Sequence, residues 1–159
     1  MSPSDAPTPR AGKLVADGSA TFSGIDATIL MGGPDAVFTV MEMTVAPGEG
    51  SPRHISVDED KVFLVRSGEL AFLVGEDVFH AESGETVSVP RGLQHSFRAM
   101  RGPASMTLVA TPARHDRFFR SMDALPLPHD GKDVQAVCRE FGQIITGPVV
   151  EAGTSDPAA

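Results

Sequence analysis

Apolar residues along this chain come in short runs that alternate with polar ones and stop at turn-forming residues, the pattern of half-buried β-strands. "IDATILM" (25–31) reads as one strand, closed by "GGPD". In "AVFTVMEMTV" (36–45) the side chains of Met41, Met43 and Val45 share one face, and Glu42 and Thr44 share the other. "APGEGSP" (46–52) reads as a loop. "KVFLVR" (61–66), "ELAFLVG" (69–75) and "DVFHAE" (77–82) form an antiparallel meander, turning at Ser67-Gly68 and around Gly75-Glu76. "ETVSVP" (85–90), "QHSFRAM" (94–100) and "SMTLVAT" (105–111) bring the set to about eight strands.

After residue 112 the period changes. "HDRFFRSM" (115–122) is a short helix candidate, and "LPLPHDG" interrupts it because proline cannot continue a helix. In "KDVQAVCREFG" (132–142), Val134, Val137, Cys138 and Phe141 fall at i, i+3, i+4 and i+7, with Gly142 placed to cap the C-terminus. The chain therefore divides into a flexible N-terminal arm (1–12), an all-β barrel (13–112), a helical C-terminal extension (113–150) and a flexible tail (151–159). A jelly roll or closed barrel with short C-terminal helices over its outside or an open edge is the expected fold class.

Composition narrows the function. With no Trp or Tyr, nine Phe and seven Met must supply the bulky packing of the core. A formal net charge of −8 argues against nucleic acid and against anionic membrane surfaces as partners. No apolar stretch approaches the length needed to span a bilayer, and "MSPSDAPTPRAG" has no apolar signal core, so a cytoplasmic location is expected. Cys138 is the single cysteine, which excludes an internal disulfide framework. The expected partners are a small-molecule ligand or substrate and a second copy of the chain, since the long strand 36–45 needs a covered edge.

Two stretches carry the candidate chemistry. Gly84, Pro90, Gly92 and His95 match the cupin family's second motif, G-x5-P-x-G-x2-H-x3-N, with Ala99 in place of the final Asn. Gly48, His54 and Gly68 match its first motif, G-x5-H-x-H-x3-4-E-x6-G, with Ser56 at the second histidine position and Lys61 at the glutamate position. Over roughly residues 25–112 the sequence resembles a cupin. The segment "DRFFRSMDALPLP…REFGQIITGP" is similar to the tail of bacterial single-domain, quercetin-dioxygenase-like cupins.

The resemblance implies a jelly-roll barrel whose metal site takes three histidines and one glutamate. Only His54 and His95 of that set stand here. A serine hydroxyl is a poor ligand for a transition metal, and a lysine ammonium repels one. No cofactor is therefore expected, and His54, His95 and Lys61 become the catalytic candidates of a metal-independent isomerase, cyclase or lyase. Two alternatives stay open. A one-residue slip would turn Asp60 inward and make a His54, His95, Asp60 site for a divalent transition metal in an altered dioxygenase. The barrel also suits a non-catalytic binding protein. Ser56, Phe63, Phe97 and Glu42 are the ligand-binding candidates, the two Phe as walls for an aromatic or polyketide-like molecule. "DED" (58–60) reads as a solvated acidic loop, and His80, His115 and His129 as surface residues.

Overall fold

Most of the turn signals read from the sequence fall between strands in the computed structural model, which describes residues 10–151. The arm and the tail expected at 1–12 and 151–159 fall almost entirely outside the described residues. The strands are β1 (Ser19–Phe22), β2 (Ile25–Met31), β3 (Thr39–Val45), β4 (Gly50–Ser56), β5 (Asp60–Ser67), β6 (Glu69–Val74), β7 (Asp77–Glu82), β8 (Thr86–Val89), β9 (His95–Ala99) and β10 (Ala104–Thr111). Helices α1 (His115–Asp123) and α2 (Gly131–Glu140) follow, and then strand β11 (Gln143–Val149). Two antiparallel sheets face each other, in the orders β1-β2-β3-β10-β5-β8 and β11-β4-β9-β6-β7. This is the expected two-sheet jelly roll.

The alternation read from the sequence is the alternation that fills the core. Met41, Met43 and Val45 on β3, Phe63 on β5, Phe72 on β6, Phe97 on β9 and Leu108 on β10 are all buried between the sheets. Glu42 is on the outer face of β3. It accepts a hydrogen bond from Thr107 Oγ1 at 2.8 Å and lies 3.6 Å from the Arg66 guanidinium. The structure thus removes Glu42 from the ligand-binding set, because strand parity turns it away from the lumen.

Three strands lie where the sequence shows no strand signal. β1 is a four-residue partner of β2. β4 begins inside the expected loop and lies between β11 and β9. Its proline, Pro52, has no N–H for the ladder, and the β4–β9 register shifts between Ser51 and His54. β11 pairs with β4 alone and buries only Gln143 fully, so backbone pairing rather than an apolar face places it. The C-terminal extension is accordingly not purely helical, since its last element joins the barrel.

Gly50 is a point of close approach. A Cβ there would collide with the carbonyl of Phe97 on β9, backbone against backbone. Gly50→Ala is expected to destabilise the fold by about 2–4 kcal/mol, through forced separation of β4 from β9. Thermal melting checks this, and an unchanged Tm would contradict it.

The helices are fixed against one end of the barrel. The buried Asp116 carboxylate of α1 accepts from Thr39 Oγ1 at 2.9 Å and from the Gly33 N–H at 3.0 Å. Phe118, Phe119 and Met122 form the buried stripe of α1, and Phe119 meets Phe22 of β1 edge-on at 4.6 Å. Asp130 caps α2 by accepting from the Lys132 N–H, and Gly142 ends it with a positive φ of 64°. No helix among the described residues is long and apolar enough to cross a membrane.

Candidate functional site

His54 on β4 and His95 on β9 are cross-strand partners, and their rings lie 4.1 Å apart, centroid to centroid. Each ring is oriented by a backbone carbonyl two residues earlier. His54 Nδ1 donates to Pro52 O at 2.7 Å, and His95 Nδ1 donates to Leu93 O at 2.9 Å. With Nδ1 carrying the proton, both Nε2 lone pairs are left to face the lumen.

Lys61 fills the space in front of them. Its Nζ is 3.4 Å from His54 Nε2 and 3.2 Å from His95 Nε2, and the residue is only 2% exposed. Lys61, one residue beyond the strand entrance, points in. Asp60 points out, where its carboxylate takes the Arg91 backbone N–H and guanidinium and is held below the usual carboxylate range by those bonds. The slipped register that would bring Asp60 into a metal site is therefore corrected. A salt bridge on the outer face fixes Asp60 there.

Burial lowers the Lys61 pKa to about 8, with the charge of Glu59 acting against that shift. Lys61 thus remains mostly an ammonium at neutral pH. Burial also lowers the two imidazoles, and the Lys61 charge lowers them further, His95 to about 3 and His54 well below its ordinary value. Both rings are neutral acceptors, and the ammonium has three donors. Two donors serve the rings, and one is left for a ligand.

The counter-charge is Glu59. It is not part of a solvated acidic loop but is 1% exposed, on the same face as Lys61 two residues earlier. Its Oε1 accepts from Gln143 Nε2 at 2.7 Å, and Gln143 Oε1 accepts from Ser56 Oγ, also at 2.7 Å. Burial raises the carboxyl's pKa, but His115, Lys61 and the Gln143 hydrogen bond outweigh it and hold the pKa below its usual value. One buried cation and one buried anion thus offset each other. The Ser56 hydroxyl is spent on Gln143, so it is not free for a ligand.

His115 completes the group. The structure places it at 4% exposure, not on the surface, as the first residue of α1. Its Nδ1 lies 3.4 Å from Glu59 Oε2. His129 also reaches the lumen edge, while His80 stays on the flank beside Glu69. The sequence carried signals for two of these residues. His115 continues the i, i+3, i+4, i+7 stripe of Phe118, Phe119 and Met122, and Glu59 shares strand parity with Lys61.

These side chains stand at the polar pole of a cavity of about 290 Å³. Phe63, Phe97, Leu108, Met43, Phe118 and Phe119 are among its apolar walls. Phe63 and Phe97 are thus lumen walls, in edge contact at 5.7 Å.

A divalent metal does not fit this donor set. An ammonium lies against both imidazole lone pairs. Among the described residues no group of three or more His, Cys, Asp or Glu side chains converges as a metal site.

The comparisons agree with this architecture. A family profile described as "Cupin domain" matches residues 41–111. The chain carries a cupin domain. No curated protein matches it in sequence. KdgF from Halomonas sp. is similar to this cupin in structure at 15% identity and a TM-score of 0.60, covering 67% of the chain and 99% of KdgF. An RmlC-like cupin from Shewanella frigidimarina is similar at 18% identity and a TM-score of 0.56, covering 63% and 87%. Streptomyces PAC13, solved with uridine and described as a nucleoside dehydratase, is similar at 19% identity and a TM-score of 0.59. That match covers 89% of this cupin and 94% of PAC13, so it runs past the barrel into the C-terminal extension. At these identities the likeness is one of fold.

Proposed function

We propose that this cupin is a metal-independent enzyme acting on a small, largely apolar molecule through an oxygen that carries or develops negative charge. The observation that carries the reading is the Lys61 ammonium, held between two neutral imidazoles at the polar end of an apolar cavity. A carboxylate, enolate or carbonyl oxygen placed on its third N–H meets a fixed positive charge in a site shielded from water. Charge appearing on that oxygen during enolisation, elimination or decarboxylation is stabilised there without reorganisation. In this reading His54 and His95 orient the ammonium, and Lys61 touches the substrate. A pKa near 8 also suits Lys61 to give and retake a proton near neutral pH. PAC13's description as a dehydratase is in keeping with elimination chemistry on a cupin frame.

Phenylpyruvate tests this, because it combines an aromatic ring, a carboxylate and an enolisable carbonyl. The native protein, stripped of metal, is expected to accelerate its keto–enol interconversion and to bind 2-naphthoate. Lys61→Met should abolish the acceleration and weaken 2-naphthoate binding by on the order of 30-fold or more. Unchanged affinity in Lys61→Met, or turnover that disappears with the metal, would overturn the reading.

A further inference from the structure

His115 is buried, faces the cavity and is matched with a buried carboxylate, yet the chemistry assigned to Lys61 makes no use of it. The Glu59 Oε2 and His115 Nδ1 atoms are both buried with no hydrogen-bond partner, and they lie 3.4 Å apart. The other oxygen of Glu59 is pinned by Gln143 at 2.7 Å, and that glutamine is pinned in turn by Ser56. The His115 ring rests against Phe118 and Phe119, with centroids at 5.4 and 5.2 Å. The carboxylate therefore has a fixed position, and the imidazole beside it has a fixed plane.

An ionised carboxylate can only accept, so the proton of a neutral His115 belongs on Nδ1. Nε2, on the other side of the ring from Glu59, then offers a lone pair to the cavity. Lowering of the His115 pKa by burial and by the Lys61 charge, against the pull of Glu59, keeps the ring neutral. The positive end of the α1 dipole acts in the same direction. The same logic orients histidine in carboxylate–histidine pairs generally.

We propose that His115 is a second polar anchor of the cavity, and that the substrate class carries a hydroxyl as well as its anionic oxygen, joined by an apolar frame. Lys61 takes the anionic oxygen, and His115 Nε2 accepts the hydroxyl proton. Ser56, Gln143 and Glu59 form the positioning chain that sets His115 as an acceptor. This rests on Lys61 as the anchor for the anionic oxygen. It narrows the ligand from apolar acids to hydroxylated apolar acids, with aromatic hydroxy acids as the rigid representatives.

The probes are 2-naphthoate, its hydroxy derivatives substituted around the ring, and the matching methyl ethers, titrated calorimetrically into the full-length protein. At least one hydroxynaphthoate is expected to bind about tenfold tighter than 2-naphthoate, and its methyl ether no tighter than the parent acid. His115→Phe should lose the hydroxyl advantage, so that the hydroxynaphthoate binds no tighter than 2-naphthoate does to the same variant. Glu59→Gln can donate to Nδ1, which moves the His115 proton to Nε2. The hydroxyl-over-ether preference should then shrink or reverse. A ¹⁵N spectrum of His115 reads this directly, with Nδ1–H in the native protein and Nε2–H in Glu59→Gln, and needs no ligand and no folded His115→Phe. If no hydroxy isomer gains affinity, if the gain survives His115→Phe, or if the native ring is protonated at Nε2, the proposal is overturned. Loss of 2-naphthoate binding in the native protein would count against the Lys61 anchor instead, so the two failures are distinguishable.

Discussion

The Ser56→His, Lys61→Glu variant should take up close to one equivalent of zinc, while the native protein holds well under one. Four donors define the family's site, and this chain has a hydroxyl and an ammonium in place of two of them. The remaining two are already prepared. His54 and His95 are fixed with Nδ1 on backbone carbonyls, so both Nε2 lone pairs converge on the Lys61 Nζ position. Replacing that ammonium by a carboxylate removes the repulsion and adds a ligand. It also leaves Glu59 and the introduced carboxylate as two buried anions without a counter-cation, a deficit that a divalent ion makes good. Affinity is expected to rise by on the order of 10³-fold, equivalent to about 4 kcal/mol. Ser56→His must displace the Ser56–Gln143 hydrogen bond, so Lys61→Glu alone serves as the control for stability. Elemental analysis and competition with a chelator give the occupancy. A native protein purified with a full equivalent of metal would show that the buried ammonium does not exclude it.

The barrel and the His54–Lys61–His95 group were legible because their spacing is set by geometry that repeats along every strand. A period of two puts Lys61, Phe63 and Val65 on one face, and the turns at Gly68 and Gly92 hold the register. The slipped Asp60 site was excluded by a residue far along the chain, Arg91, whose guanidinium ties Asp60 to the outside. Glu42 was misplaced although parity sets it opposite Met41, Met43 and Val45: a lone carboxylate in an apolar strand suggested lumen chemistry, and Thr107 and Arg66, its partners on the outer face, lie far along the chain. Glu59, Gln143 and His115 were missed for a related reason. Local pattern marks the inward side of His115 and Glu59 but not what they meet there: the Gln143–Glu59 bond spans 84 residues and Ser56–Gln143 spans 87. β11, which carries Gln143, has no apolar alternation to betray it, since its partner β4 supplies the hydrogen bonds that define it. β4 was obscured by Pro52, a residue that ordinarily argues against a strand interior.

Acid should unfold this protein through its buried histidines before its surface carboxylates matter. His95 has an ordinary pKa of 6.5 and is lowered to about 3 in the fold by burial, reinforced by the Lys61 charge, so between those values the unfolded chain binds more protons than the folded one. Stability therefore rises with pH across that window and is lost as pH falls from about 6.5 toward 3. His95 alone accounts for a loss on the order of 4 kcal/mol, and His54, shifted in the same direction, adds to it. Lys61 has a second, separate limb. Its folded pKa of about 8 lies below its ordinary 10.5, so the unfolded chain again binds more protons, and stability rises from about pH 8 to 10.5 as the buried ammonium discharges. Urea unfolding midpoints measured from pH 4 to 10 should show both limbs. His95→Gln keeps an acceptor for Lys61 but cannot be protonated. It should make the acid limb between pH 6.5 and 4.5 shallower, with His54 and His115 still contributing, and leave the alkaline rise in place. Lys61→Met should do the reverse on the alkaline side, abolishing the rise above pH 8. Its missing charge should also make His54 and His95 easier to protonate, so its acid limb should be shallower than that of the native protein. A native profile flat from pH 6.5 to 4.5 would mean that the two imidazoles reach water, and the closed, electroneutral lumen of Glu59, Lys61, His54 and His95 would be wrong.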